Sequence, residues 1–320
     1  VPFQKGNRLN PEKIRAIATA ILVFSLPTLV PGLGWLRSIM PLPVYYVLNV
    51  HGRRQGTEIV LWALAGTGTA ALLAGAFPGF FFSLSLIPVG YILAGTGEKQ
   101  SPLLTRASKA TVYLALVWLL LAFLFGAVNK INPHQEIVQS IEQGVAETIA
   151  LYKESGQFDA EAMETISAFM ERLQGHMVRL FPALLLTSIL CTVWLTLLLG
   201  QWLFKKRATG HNAGEDLQAW RLPDLLVWPV ILAGFALLAP NARLNDFGLN
   251  LGFVLLIAYL TQGLAIVATL MRRWALPKLF RVALYVFLFL EVYGLVIVAA
   301  LGLADVWLDL RNRKAREEAG

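Results

Sequence analysis

A single cysteine, Cys191, stands in 320 residues. A lone thiol forms no intramolecular disulfide, and neither a CxxC pair nor a Cys/His spacing suited to zinc is present. The four histidines, His51, His134, His176 and His211, follow no ligand-like period. Charge is scarce as well: Asp, Glu, Lys and Arg make up 15% of the chain, against about a quarter in a soluble domain. Enzymatic signatures are missing. There is no HExxH, no GxSxG, no phosphate-binding GxxxxGKS or GxxxxGKT loop, and no paired aspartates within an apolar run. No metal, no cofactor and no enzymatic activity is therefore expected, and any ATP-driven step falls to another chain. The net charge of +7 does not point to nucleic acid. Its basic residues gather in short loops at the ends of apolar runs, as topology signals do, and not on an interleaved basic and aromatic surface.

What the chain has in abundance is uncharged length. Hydrophobic residues make up 57%, concentrated in the runs Ala16–Leu36, Ile59–Gly97, Ala110–Asn129, Leu180–Phe204, Leu225–Ala242 and Phe247–Met271. A bilayer core about 30 Å thick needs roughly 20 apolar residues per helix, and in lipid every backbone group must be bonded within the protein. The pattern predicts an all-α polytopic membrane bundle of eight to ten membrane segments.

Local breakers divide these runs. The first span, 14–33, follows a basic flank and is interrupted by Pro27 and Pro31-Gly32. The flank and run have the outline of a signal peptide, but Pro27, Pro31 and Trp35 stand where a small-x-small site belongs, so an uncleaved span is expected. Residues 38–50 form a short piece, opened by Pro41-Leu42-Pro43 and closed by His51-Gly52-Arg53-Arg54. Thirteen residues rise only about 20 Å, which suits a tilted short span or a re-entrant segment. The run 59–97 is too long for one crossing, and Phe77-Pro78-Gly79 marks a turn within it. Pro240-Asn241 marks another turn, and the last run, 279–304, is interrupted by Glu291.

Residues 129–175 change character, holding eight carboxylates against three bases. Apolar residues recur at Ile137, Ile141, Val145, Ile149 and Tyr152, and again at Met163, Ile166, Phe169 or Met170, and Leu173, at helical spacing. Asn132-Pro133, Gly156 and Asp159 supply caps. The segment 129–178 therefore reads as an amphipathic helical hairpin set between membrane parts 1–128 and 179–310, with a basic tail over 311–320. Its role is a passive cap over the spans, a lid, or a docking surface. Positive loops at the N-terminus, 51–54, 97–109, 205–221 and 272–281 fall on one side if each run crosses once, which places the N-terminus in the cytoplasm and the hairpin outside. Nine crossings would carry the basic tail outside; a split at 291–294 returns it to the cytoplasm, the side expected here.

Polar residues within apolar runs are the candidate binding groups. Glu291 is the one acidic residue deep in such a run. A carboxylate at mid-membrane is costly, so it faces a partner or a water-filled cavity, or else stays neutral in the bundle or at a hairpin tip. Arg37 sits beside Pro31-Gly32 and Gly34-Trp35, and Tyr45, Tyr46 and Asn49 follow on the next piece. Broken segments of this kind line substrate sites in transporters; an interfacial arginine beside ordinary kinks is the plainer alternative. Gln262 completes the candidate set, with Asn250 and Tyr259 in the same run; interhelical hydrogen bonds account for all three. Glu58, Asp224, Asp305 and Asp309 lie at membrane boundaries, where solvation suffices for a carboxylate.

The C-terminal stretch Gln262-Gly263-Leu264, Leu276-Pro277-Lys278-Leu279 and Leu301-Gly302-Leu303-Ala304-Asp305-Val306-Trp307-Leu308-Asp309-Leu310-Arg311 resembles the YybS-like predicted membrane proteins. So do the insert followed by Leu180-Phe181-Pro182-Ala183-Leu184-Leu185 and the pair Pro41-Leu42-Pro43 with Gly52-Arg53-Arg54. That resemblance implies a grouping with the substrate-binding S components of energy-coupling-factor transporters, compact membrane proteins that dock on a transmembrane partner with two ATPases. This chain is longer and carries the hairpin besides. The expected role is a non-enzymatic small-molecule-binding or transport component of a bacterial inner membrane. Its ligand would be small and apolar or amphipathic, and its partner a membrane protein or ATPase-driven transport module. The alternative is an assembly subunit of a larger envelope complex, docking through 129–178.

Overall fold

The computed structural model describes residues 11–95, 102–207 and 221–309. The basic flank before residue 11, the loop segments 96–101 and 208–220, and the tail 311–320 lie outside the described residues. Every regular element among the described residues is helical. Five helices are long and apolar enough to cross a membrane: Pro41–Leu73, Phe77–Ala94, Leu103–Asn129, Ala160–Phe204 and Ala242–Arg273. A sixth is added if the bent pair Lys278–Leu288 and Tyr293–Leu308 counts as one span. The all-α membrane bundle stands, with a smaller set of full-length spans than the eight to ten apolar segments. Two of those segments, Pro11–Leu29 and Asp224–Leu238, are helices outside that set. The chain divides into two compact units, residues 1–118 with 188–215, and residues 119–187 with 216–320.

In the first unit, α1 (Pro11–Leu29) packs along α2 (Pro41–Leu73), joined to it by a 3₁₀ helix over Pro31–Ile39. Lys13 pairs with Glu58 across α1 and α2, and buried Thr67 faces Ser25 at 3.3 Å. The expected break after residue 50 lies at Gly52, whose φ of 73° is open to glycine and costly for other residues. A turn over residues 74–76, just ahead of the expected Phe77-Pro78-Gly79, separates α2 from α3 (Phe77–Leu84), which Phe77-Pro78 opens and which leads into α4 (Ile87–Ala94). α5 (Leu103–Asn129) follows. Its Arg106 is 2% exposed and donates from Nη1 to the Leu93 carbonyl at 2.7 Å. A cation thus meets the C-terminal end of α4, where the helix dipole favours one.

The second unit contains α6 (Pro133–Ser155) and the first part of α7 (Ala160–Arg207). The predicted caps are in place. Asn132 accepts from the His134 amide at 3.0 Å, Asp159 accepts from the Ala162 amide at 2.8 Å, and Gly156 turns with φ 63°. α7 runs unbroken for 48 residues through Pro182, so the change of composition near Gly175 marks a change of solvent and not a chain break. Beyond it lie a 3₁₀ turn at Asp224–Leu226, α8 (Val227–Leu238), α9 (Ala242–Arg273), α10 (Lys278–Leu290) and α11 (Val292–Leu308). α9 packs against both α8 and α11. The approach is close because glycines face backbone: a Cβ on Gly248 would lie 2.7 Å from the Leu237 nitrogen, and one on Gly263 would lie 2.8 Å from Val298 Cγ1. Small residues are the usual means of bringing helices together in lipid, where no hydrophobic force drives them. α10 and α11 meet at Glu291, where the chain bends by 104°.

Candidate functional site

The six polar candidates fall into four separate settings. Arg37 lies on the 3₁₀ helix, donates from Nε to the Pro27 carbonyl at 3.2 Å, and lies against Gly79. It ties the end of α1 to the start of α3. Tyr45 is buried in α2, with its ring edge-on to Phe204 at 5.5 Å, and Tyr46 stacks on the same ring at 5.7 Å. Asn49 donates back to the Tyr45 carbonyl at 2.7 Å. Gly200 leaves room for the Tyr45 ring, since a Cβ there would run into it. These groups form one aromatic contact between α2 and the end of α7, all within the first unit.

Gln262 and Glu291 belong to the second unit and are not brought together. Gln262 is fully buried, and its amide joins three segments. Oε1 accepts from the Leu222 amide at 2.9 Å, while Nε2 donates to the Gly302 carbonyl at 3.0 Å and to Asp305 at 3.4 Å. Interhelical bonding, expected for this residue, is what it does. Asn250 does the same, bonding Arg179 and Ala183 of α7. Tyr259 is 2% exposed, and among the described residues its hydroxyl has no partner. Glu291 is exposed at the corner between α10 and α11, with extended backbone angles.

Asp305 corrects a reading from sequence. A solvated boundary carboxylate is expected there, yet Asp305 is 1% exposed and takes the Gln262 bond. Its neighbour Asp309 keeps the boundary setting, 3.7 Å from Arg221. Among the described residues no group of three His, Cys, Asp or Glu side chains could hold a metal ion.

A cavity of the right size for a ligand lies elsewhere, at the base of the hairpin. The end of α5 turns sharply into α6: Lys130 adopts φ 55°, the Ile131 amide bonds the Gly126 carbonyl at 3.1 Å, and Gly126 makes room for the Pro133 ring. α6 then runs beside α7 with an opening between them. Ala122 and Phe125 of α5, Ile137, Ile141 and Val145 of α6, and Met170, Leu173 and Met177 of α7 line a groove of about 640 Å³. Its polar members, Glu136, Ser140 and Thr148, are all on α6. That volume lies within the range of roughly 300–1,000 Å³ usual for small-molecule sites, which are mostly apolar with a few polar groups. None of the six polar candidates lines it.

The apolar stripes of both helices are visible in the sequence at helical spacing. The opening between them is not, because spacing along each helix says nothing of the distance across. One local signal was available. Gly144 interrupts the Ile141–Val145 side of α6, and a Cβ added there would meet nothing within 4 Å. A small residue inside an amphipathic stripe is the mark of a gap, since glycine costs about 1 kcal/mol relative to alanine in a helix interior. α6 buries none of its residues.

No curated protein and no solved structure matches the chain. A family model does, over residues 16–306, a range that takes in the spans, the hairpin and the α9–α11 crossing. The chain belongs to the DUF2232 family, described as predicted membrane proteins.

Proposed function

We propose that this protein is a non-enzymatic binding component of a bacterial inner membrane, and that the hairpin groove is where it takes a small apolar or amphipathic molecule. The single observation carrying this reading is the groove of about 640 Å³, lined by aliphatic, Met and Phe side chains with three polar groups on one wall. The charge pattern of the loops supports a cytoplasmic N-terminus and an extracytoplasmic hairpin. A binder on that face needs a partner to move its ligand. The resemblance to the YybS-like proteins, which implies a grouping with S components, supports a transport module in that role.

The test is native mass spectrometry of the full chain released from detergent. A bound small molecule that disappears when residues 133–174 are deleted is the expected result. A protein that carries no small molecule under several expression conditions would overturn the reading. Retention of a ligand with loss of a protein partner in pull-down would instead favour an assembly subunit that docks through the hairpin.

A further inference from the structure

We infer that the occupant of the groove is a hydrocarbon chain of a bilayer lipid, drawn up from the membrane into the hairpin. This rests on the binding role proposed above and names its ligand class. The argument starts from where the groove begins. Ala122 and Phe125, at its lower end, belong to α5, a span whose most apolar stretch is only 11% buried. Leu119, Leu120, Phe123, Leu124 and Val128 on the same part of α5 are exposed. In a bilayer that surface faces lipid. The groove is therefore continuous with the lipid-facing surface, and Phe125 belongs to both.

Size selects among occupants. The α6 wall from Pro133 to Thr148 rises about 22 Å, and a helix about 10 Å wide over that length would fill roughly 1,700 Å³. The groove holds about 640 Å³, too little for a partner helix and suited to a single file of methylenes. A second copy of the hairpin is disfavoured by charge, because residues 129–175 carry eight carboxylates against three bases. A chain leaving the bilayer for an apolar wall changes one hydrocarbon setting for another. The gain is on the protein side, where Ile137, Ile141 and Val145 lose contact with water. Glu136, at the membrane end of α6, meets the headgroup level, where an amine is favoured over an anion. Phosphatidylethanolamine is the probe this predicts.

The experiment reconstitutes the full chain into vesicles of phosphatidylethanolamine and phosphatidylglycerol, with a trace of phosphatidylethanolamine bearing a diazirine on its acyl chain. Labelled peptides are then mapped by mass spectrometry. Label is expected on 137–148 and 170–177 as well as on the exposed face of α5. Gly144→Phe places a ring in the opening, and it should reduce label on both groove peptides about tenfold. Label on 119–128 should stay unchanged in the same sample. Thr148→Phe, a second filler, should act alike, and Gly144→Ala should label as the parent does. Equal labelling of the parent and both filled variants overturns the inference. So does label confined to α5. Fluorescence of the soluble apolar dye N-phenyl-1-naphthylamine separates the two readings. Dye binding lost in Gly144→Phe, without lipid labelling of the groove, sinks the lipid chain and leaves the binding role standing. A parent protein that shows neither dye binding nor groove labelling sinks both.

Discussion

Asn250 accepts through Oδ1 from the Ala183 amide at 2.9 Å while its Nδ2 donates to the Arg179 carbonyl at 2.9 Å. Those two backbone groups are the ends of one i→i−4 step, and Pro182 sits inside it. A proline ring clashes with the carbonyl four residues back and opens the helix locally. A side-chain amide from α9 thus holds the two backbone groups that flank Pro182, the kind of support that membrane helices with internal proline use. Asn250→Ala should lower stability by about 1 kcal/mol, within the range of membrane hydrogen bonds. Pro182→Ala should shrink that loss, because the helix can then close its own bond. A double-mutant cycle by denaturant unfolding in detergent should give a coupling of at least about 0.5 kcal/mol. Strict additivity would rule out the bridge.

The Gln262 amide is a second stitch of the same kind, with more at stake because it is fully buried. Gln262→Leu removes bonds to Leu222, Gly302 and Asp305 together and strands a buried backbone donor. The expected cost is about 1–3 kcal/mol, read as a lower unfolding midpoint in detergent. Gln262→Glu should cost as much or more, since it sets a second carboxyl group beside buried Asp305 in place of a donor. A neutral Gln262→Leu variant would show the amide to be dispensable.

At the α9–α11 crossing the limiting factor is volume. A Cβ on Gly263 would meet the Val298 main chain, and one on Gly302 would lie 2.8 Å from the Gly263 nitrogen. Backbone cannot swing aside as a side chain can. Gly263→Ala and Gly302→Ala should each cost about 1–3 kcal/mol or more, the range for overpacking a close contact. Gly234→Ala is the control, because a Cβ there meets nothing within 4 Å. It should hold or gain stability, by about 1 kcal/mol at most. Thermal unfolding followed by circular dichroism separates the three.

Much of this architecture is written in local chemistry. Gly52, Pro78, Asn132, Gly156, Asp159 and Asn241 act within their own turns, and each marks a boundary where the sequence predicts one. Glu291 interrupts the last run for the same reason. What escapes is whatever depends on a distant partner. Asp305 looks solvated because nothing within a few residues reveals the Gln262 amide or the glycine-lined crossing above it. The change from acidic to apolar residues suggests a seam near residue 178, yet helical propensity carries α7 straight through. Residue type alone places Tyr45 and Tyr46 in a cavity, whereas the Phe204 ring that covers them is far along the chain. The groove shows the same division: its walls are readable, and its width is not.

Arg106 gives the sharpest test of a long-range contact missed in this way. Its sequence setting, in a basic loop before α5, suggests one of several topology charges, and substitution of such a charge would barely affect stability. The structure buries it to 2% exposure, with its side chain against Gly95 and its Nη1 on the Leu93 carbonyl. Gly95 closes α4 with φ 55°, so the guanidinium sits where the last turn leaves carbonyls without helical partners. Removing a charged donor from that position should cost about 1.5–3 kcal/mol. Arg106→Gln should lose most of this. Arg106→Lys should recover only part, because an ammonium lacks the planar fork. Lys109→Gln, three residues on and exposed, should change little. If unfolding in detergent gave the same small loss for Arg106→Gln and Lys109→Gln, Arg106 would be a topology charge and no more. A large loss at Arg106 alone would establish that the C-terminus of α4 is held from α5.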